Sequence, residues 1–69
     1  MKVFPPVVGV FADMAVDEGD EVADGQMVCS VESMKVMFPL RAPCSGMVHY
    51  LAELGAIVGE NEPVFEVVA

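Results

Sequence analysis

Between Met27 and Ala42 the chain runs sixteen residues without a glycine, asparagine or aspartate, and Pro39 is its only proline. By ordinary turn preferences this stretch reads as one uninterrupted strand. Sixteen extended residues at about 3.3 Å each would reach roughly 53 Å. The whole chain has 69 residues, and a globule of that size has a radius of gyration of about 11 Å and a diameter of roughly 28 Å. The stretch must therefore reverse near its centre, which falls between Met34 and Lys35. Alternation on either side agrees. Met27, Cys29 and Val31 on the first arm, and Val36, Phe38 and Leu40 on the second, are the predicted inward rows.

Elsewhere no stretch carries a helical stripe, and short runs rich in valine and phenylalanine recur between glycine, proline and aspartate clusters. The chain reads as all-β. Predicted strands cover Val3–Phe4, Gly9–Met14, Met27–Glu32, Val36–Ala42, Gly46–Leu51 and Pro63–Val68, with short pieces at Glu21–Val22 and Ile57–Val58. Turns are expected at 18–20, 23–25, 54–56 and 59–61.

The two halves resemble each other. A shift of 37 positions lays Pro6, Gly9 and Ala15 on Pro43, Gly46 and Ala52. A shift of 36 lays Gly19, Val22, Val28 and Val31 on Gly55, Val58, Val64 and Val67, so one gap suffices. Two similar four-strand halves, each burying its apolar side against the other, predict a flattened barrel or sandwich with approximate two-fold symmetry. Residues 1–69 read as a single domain. A chain this short buries only about 60% of the surface its unfolded form exposes. A content of 55% hydrophobic residues meets that demand and excludes a disordered segment.

Eleven acidic residues stand against three basic ones, for a formal net charge of −8. Such a surface repels a phosphate backbone, so no nucleic-acid partner is expected. Neither a secretory signal nor an apolar span of about 20 residues fits the sequence, which predicts a cytoplasmic protein without a membrane partner. Cys29 and Cys44 are too few for a disulfide scaffold and read as small apolar side chains, with a single bridge between them as the alternative. Asp17, Glu18, Asp20, Glu21 and Asp24 form an acidic cluster that reads as a solvated surface, and no metal is expected. His49 has no Ser or Cys nucleophile near it in sequence and reads as structural, so no catalytic residue is assigned.

The predicted reversal puts the dipeptide Met34-Lys35 at a hairpin tip, in place of the Asn-Gly or Asp-Gly usually favoured there. Two readings stand: the side chains are kept for a function, or the flanking strands simply impose the turn. The chain has only two lysines, Lys2 near the terminus and Lys35. An amine on a flexible four-carbon stem at an exposed tip suits covalent modification and tethering. With no cationic neighbour it is poorly placed to be a catalytic amine.

The run Glu32-Ser33-Met34-Lys35-Val36, followed by Leu40-Arg41-Ala42-Pro43 and Gly46-Met47-Val48, resembles the biotinyl/lipoyl attachment domain family. Within it the match is to the biotin carboxyl carrier domains of biotin-dependent carboxylases. In the related lipoyl domains the modified lysine usually follows an aspartate, whereas biotin carriers favour methionine, as at Met34. The resemblance implies a barrel-sandwich hybrid of two four-stranded antiparallel sheets. Biotin would be amide-linked to Lys35, with Glu32, Ser33, Met34 and Val36 as the flanking recognition motif. It further implies a biotin protein ligase, a biotin carboxylase and a carboxyltransferase as partners, the chain itself being a non-catalytic carrier subunit or domain. Some biotin carriers have a protruding loop in the N-terminal half. The near-equal halves here predict none. Two other readings are a lipoyl carrier bearing lipoate in an oxidative decarboxylation complex, and an unmodified β adaptor in which Lys35 is an ordinary surface residue.

Overall fold

In the computed structural model, which describes residues 1–69, the long glycine-free stretch is indeed a hairpin. Eight strands follow one another: β1 (Lys2–Val3), β2 (Gly9–Met14), β3 (Glu21–Val22), β4 (Met27–Ser33), β5 (Val36–Arg41), β6 (Gly46–Tyr50), β7 (Ile57–Val58) and β8 (Phe65–Val68). They form two four-stranded antiparallel sheets in the orders β1-β8-β6-β3 and β5-β4-β2-β7. The radius of gyration is 10.7 Å and the extents are 32 × 18 × 17 Å, which leaves no room for the arms of the hairpin in a single line.

The internal repeat is a property of the backbone as well as of the sequence. Each sheet takes two strands from either half, so the halves exchange strands and do not stack as two separate leaves. Matched hydrogen bonds mark the axis: Gly19 N donates to Val48 O at 2.8 Å, and Gly55 N donates to Phe11 O at 2.8 Å. Gly9 and Gly46 are matched too. A Cβ on Gly9 would collide with the Glu32 carbonyl oxygen, and one on Gly46 with the Val68 carbonyl oxygen, so close strand approach selects glycine at both. The β2–β3 and β6–β7 connections are equal in length, residues 15–20 and 51–56, and neither carries a protruding loop.

The core lies between the sheets. Phe11, Val28, Cys29, Val31, Val48, Val64 and Phe65 are fully buried in it. The Tyr50 ring sits between Phe11 and Phe65, with centroids 5.6 and 6.3 Å away. Its hydroxyl donates to Val16 O at 2.6 Å, so the polar end of a half-buried ring is satisfied. Cys29 and Cys44 are free thiols, and burial pushes the Cys29 pKa up to about 12, which keeps it a neutral packing group.

Several boundaries differ from the sequence expectation. The first ladder covers Lys2–Val3 and leaves out Phe4, which the following prolines hold beyond it. The last begins at Phe65 instead of Pro63, because Pro63 has no N–H and the Val64 carbonyl is taken by Leu51 N and Ala52 N. The fourth strand runs one residue further, to Ser33, while the fifth and sixth stop one short, at Arg41 and Tyr50. Val36, expected to point inward, is 53% exposed: it borders the turn on an edge strand with no neighbour on one side. Met27 is only half-buried. A register shift between Met27 and Cys29 breaks strict alternation, and Val28 and Ser30 are buried together with Cys29 and Val31.

Candidate functional site

Ser33 and Val36 are directly paired, so the β4–β5 connection is a two-residue turn of Met34 and Lys35 alone. Met34 has φ 53° and Lys35 φ 65°, the only non-glycine residues of the chain with positive φ. Positive φ at both central positions is the type I′ pattern, whose twist matches that of the flanking strands. Each L side chain held there costs about 1–2 kcal/mol. The ladder that imposes this runs from Met27–Arg41 to Ser33–Val36, and β4 is flanked on its other side by β2. A braced stem thus holds two residues in a conformation that they would not choose.

The turn presents both side chains to solvent. Met34 is 93% exposed, Lys35 is exposed, and Glu32 and Val36 beside them are exposed as well, with Ser33 half-buried. Lys35 takes part in no ion pair, the one ion pair of the chain being His49–Glu18. The surface has two hollows, of about 320 Å³ beside Met47 and His49 and about 360 Å³ beside Ile57 and Pro63, and neither includes any residue from 32 to 36. The candidate site is a projection with an amine at its end. Asparagine tolerates positive φ, so Met34→Asn should stabilise the fold by about 1 kcal/mol and raise the thermal midpoint by roughly 4–8 °C. Circular dichroism melts would show it.

The other residues considered in the sequence hold structure. Glu18 accepts from Tyr50 N at 2.8 Å and from His49 Nδ1 at 2.7 Å, tying the β2–β3 connection to β6. Asp20 accepts from Asp17 N at 2.9 Å, so two acids of the cluster shape their own turn. The Glu18 link joins positions more than thirty residues apart, and no local pattern in the sequence announces it. The Tyr50 N–H bond, then the His49 bond, hold the Glu18 carboxyl below its ordinary value of 4.5. A lowered folded-state pKa contributes stability that is complete above pH 4.5 and fades as the pH falls through the lower folded value. The stability difference between wild type and Glu18→Gln should therefore shrink below pH 4.5, as urea titrations at a series of pH values would record.

The family model described as "Biotin-requiring enzyme" matches residues 2–67. The biotin carboxyl carrier protein of acetyl-CoA carboxylase from Nostoc sp. is 34% identical, over 96% of this chain and 41% of that protein. The human mitochondrial propionyl-CoA carboxylase alpha chain is 36% identical over 88% of this chain but only 8% of its own length. The chain thus spans less than half of these relatives. Among solved structures, the Kluyveromyces lactis urea carboxylase superposes with a TM-score of 0.88 at 28% identity, over 99% of this chain and 6% of that one. The lipoyl domain of the 2-oxoglutarate dehydrogenase complex from Azotobacter vinelandii shares the fold, with a TM-score of 0.75 at 20% identity over 100% of this chain and 94% of that one. A two-sheet domain with matched halves, matched by this family model over nearly its whole length, belongs to the biotin/lipoyl attachment domain family, whose members are typically carrier modules.

Proposed function

We propose that this chain is a biotin carboxyl carrier domain and that Lys35 is the residue modified. The observation that carries the reading is the turn itself: the one lysine braced on both sides by ladder occupies a position of positive φ, where asparagine or glycine would be more stable. A side chain kept at a conformational cost is kept for what it does.

The exposed Nζ is a primary amine free to form an amide with the carboxyl group of biotin, and no neighbour has to move to admit it. When bound, the ring would accept a carboxyl group at one partner's site and give it up at another's. Everything else falls to the chain. Lys35 would supply the attachment point and a flexible stem, the β4–β5 ladder a stiff base, and Met34 an unbranched thioether for a biotin protein ligase to grip, beside Glu32, Ser33 and Val36. Tethering makes delivery between a biotin carboxylase and a carboxyltransferase an intramolecular event. The acidic surface, at −8 before amide formation neutralises Lys35 and −9 after, suits docking against basic sites. Acetyl-CoA and propionyl-CoA carboxylases are the assemblies named by the relatives and belong to the same class of partner.

Met34, where lipoyl domains usually have an aspartate, favours biotin over lipoate. Intact mass decides between them. The purified chain is incubated with a biotin protein ligase, ATP and biotin, or in parallel with a lipoate ligase, ATP and lipoate, and each product is peptide-mapped. The expected result is one biotinyl adduct, on Lys35. A lipoyl adduct alone, or no adduct, overturns the reading.

A further inference from the structure

Ile57, Val10, Glu32 and Met37 stand opposite one another across β7, β2, β4 and β5. Residues paired in this way project from the same face of a sheet. The next pairs inward, Phe11 with Val31 and Val31 with Phe38, supply the core, and Phe11 and Val31 are 0% exposed. The row is therefore the outward one. Ile57 is 72% exposed, Met37 48% and Val10 41%, and the exposed Glu32 carboxylate has neither a hydrogen bond nor an ion partner. A lone carboxylate thus sits inside an uncovered apolar stripe.

The related face of the other sheet is built differently. The repeat places Glu21, Met47 and Val68 in the same row there, with the acid at the outer strand and no carboxylate between apolar neighbours. Only the sheet that carries the Lys35 turn has an acceptor flanked by Met37 on one side and Val10 on the other.

We infer that this row is the resting place of the acyl arm borne by Lys35; the inference rests on the biotin reading above. Met37 lies two residues beyond Lys35, and Glu32 and Val10 follow at about 5 and 10 Å across the sheet. About eleven bonds separate the Lys35 Cα from the fused ring of biotin, a reach of roughly 13 Å. Met37, Glu32 and Val10 lie within it, and Ile57, at about 15 Å on the next strand, borders the far side of the ring. The chemistry is complementary along the same line. The methylene chain matches Met37 and the fused ring turns its thioether side toward Val10, while the two ureido N–H groups are donors for the otherwise unpartnered Glu32 carboxylate between them. A lipoyl arm has no N–H in its ring, so Glu32 would have nothing to accept from it. Glu32 also makes the place selective, since its charge repels any arm that has itself acquired a carboxylate.

The test compares the chain, labelled with carbon-13 and nitrogen-15, before and after complete biotinylation as verified by intact mass. The Val10, Ile57 and Met37 methyl resonances are expected to shift, and ureido N–H protons should show Overhauser contacts to them. Val10→Thr/Ile57→Thr keeps the strand preference of both positions. If about two thirds of arms rest on the stripe, streptavidin should capture the biotinylated double variant about threefold faster than wild type, because only a free arm is captured. A fully biotinylated wild-type chain whose shifts are confined to residues 33–36, with a double variant captured at the wild-type rate, overturns the inference and leaves the carrier reading standing. A chain that takes no biotin overturns both.

Discussion

Lys35→Arg is expected to take no adduct at all and to abolish carboxyl transfer in any assembly that depends on this chain. Arginine preserves charge and approximate length, but its guanidinium remains protonated and offers no amine for acylation. The fold should not notice. Lys35 is exposed and outside any ion pair, so the change in stability should stay within about 0.5 kcal/mol. Intact mass, peptide mapping and a thermal melt on one sample separate the two effects: an unmodified chain with an unchanged midpoint is the expected outcome. Lys2 is an internal control, since it too is exposed but lies on β1 outside any turn. An adduct on Lys2 would move the attachment site away from the turn, and full partner activity with Lys35→Arg would instead favour the adaptor reading.

The second large effect concerns stability. Phe65→Ala should cost about 3–5 kcal/mol. A chain of 69 residues has a total stability of only roughly 3–10 kcal/mol. The variant should be largely unfolded at 37 °C or have lost most of its urea midpoint, as far-UV circular dichroism would record. Phe65 is 0% exposed, packs against the Tyr50 ring at 6.3 Å and pairs with Val3, so nothing small can collapse into its place. The repeat explains why this phenylalanine matters so much. Its counterpart in the first half is Cys29, whereas Phe11 in the first half has Val48 for a counterpart. One large and one small side chain in each pair fill the core across an approximate two-fold axis, each bulky ring compensating for a small residue related by the repeat. A loss below about 1 kcal/mol would mean that the core does not divide its volume in this way.

The part of the site that the sequence made legible was the part governed by length. A stretch too long for the globule had to turn at Met34-Lys35, and the absence of turn residues there already marked the turn as unusual. The two-residue strands Glu21–Val22 and Ile57–Val58 were equally legible because clear turns bracket them and the repeat pairs them. Exchange of strands between the halves was not legible. Partner choice is decided by long-range register, and a local pattern of valines is the same whichever sheet receives it. Val36 went the other way because alternation predicts a face but not whether anything covers that face at an edge. The Met27–Cys29 bulge, and the reach of Glu18 to Tyr50 and His49, likewise depend on contacts between distant segments.

Since each sheet is woven from strands of both halves, neither half owns a complete hydrogen-bonded layer that could survive alone. Melting should consequently be all-or-none, with no half-folded species in which the hairpin persists while the opposite layer has frayed away. Every molecule in solution then either offers its amine on an intact platform or is wholly open to proteolysis, and a graded decline in presentation has no structural route.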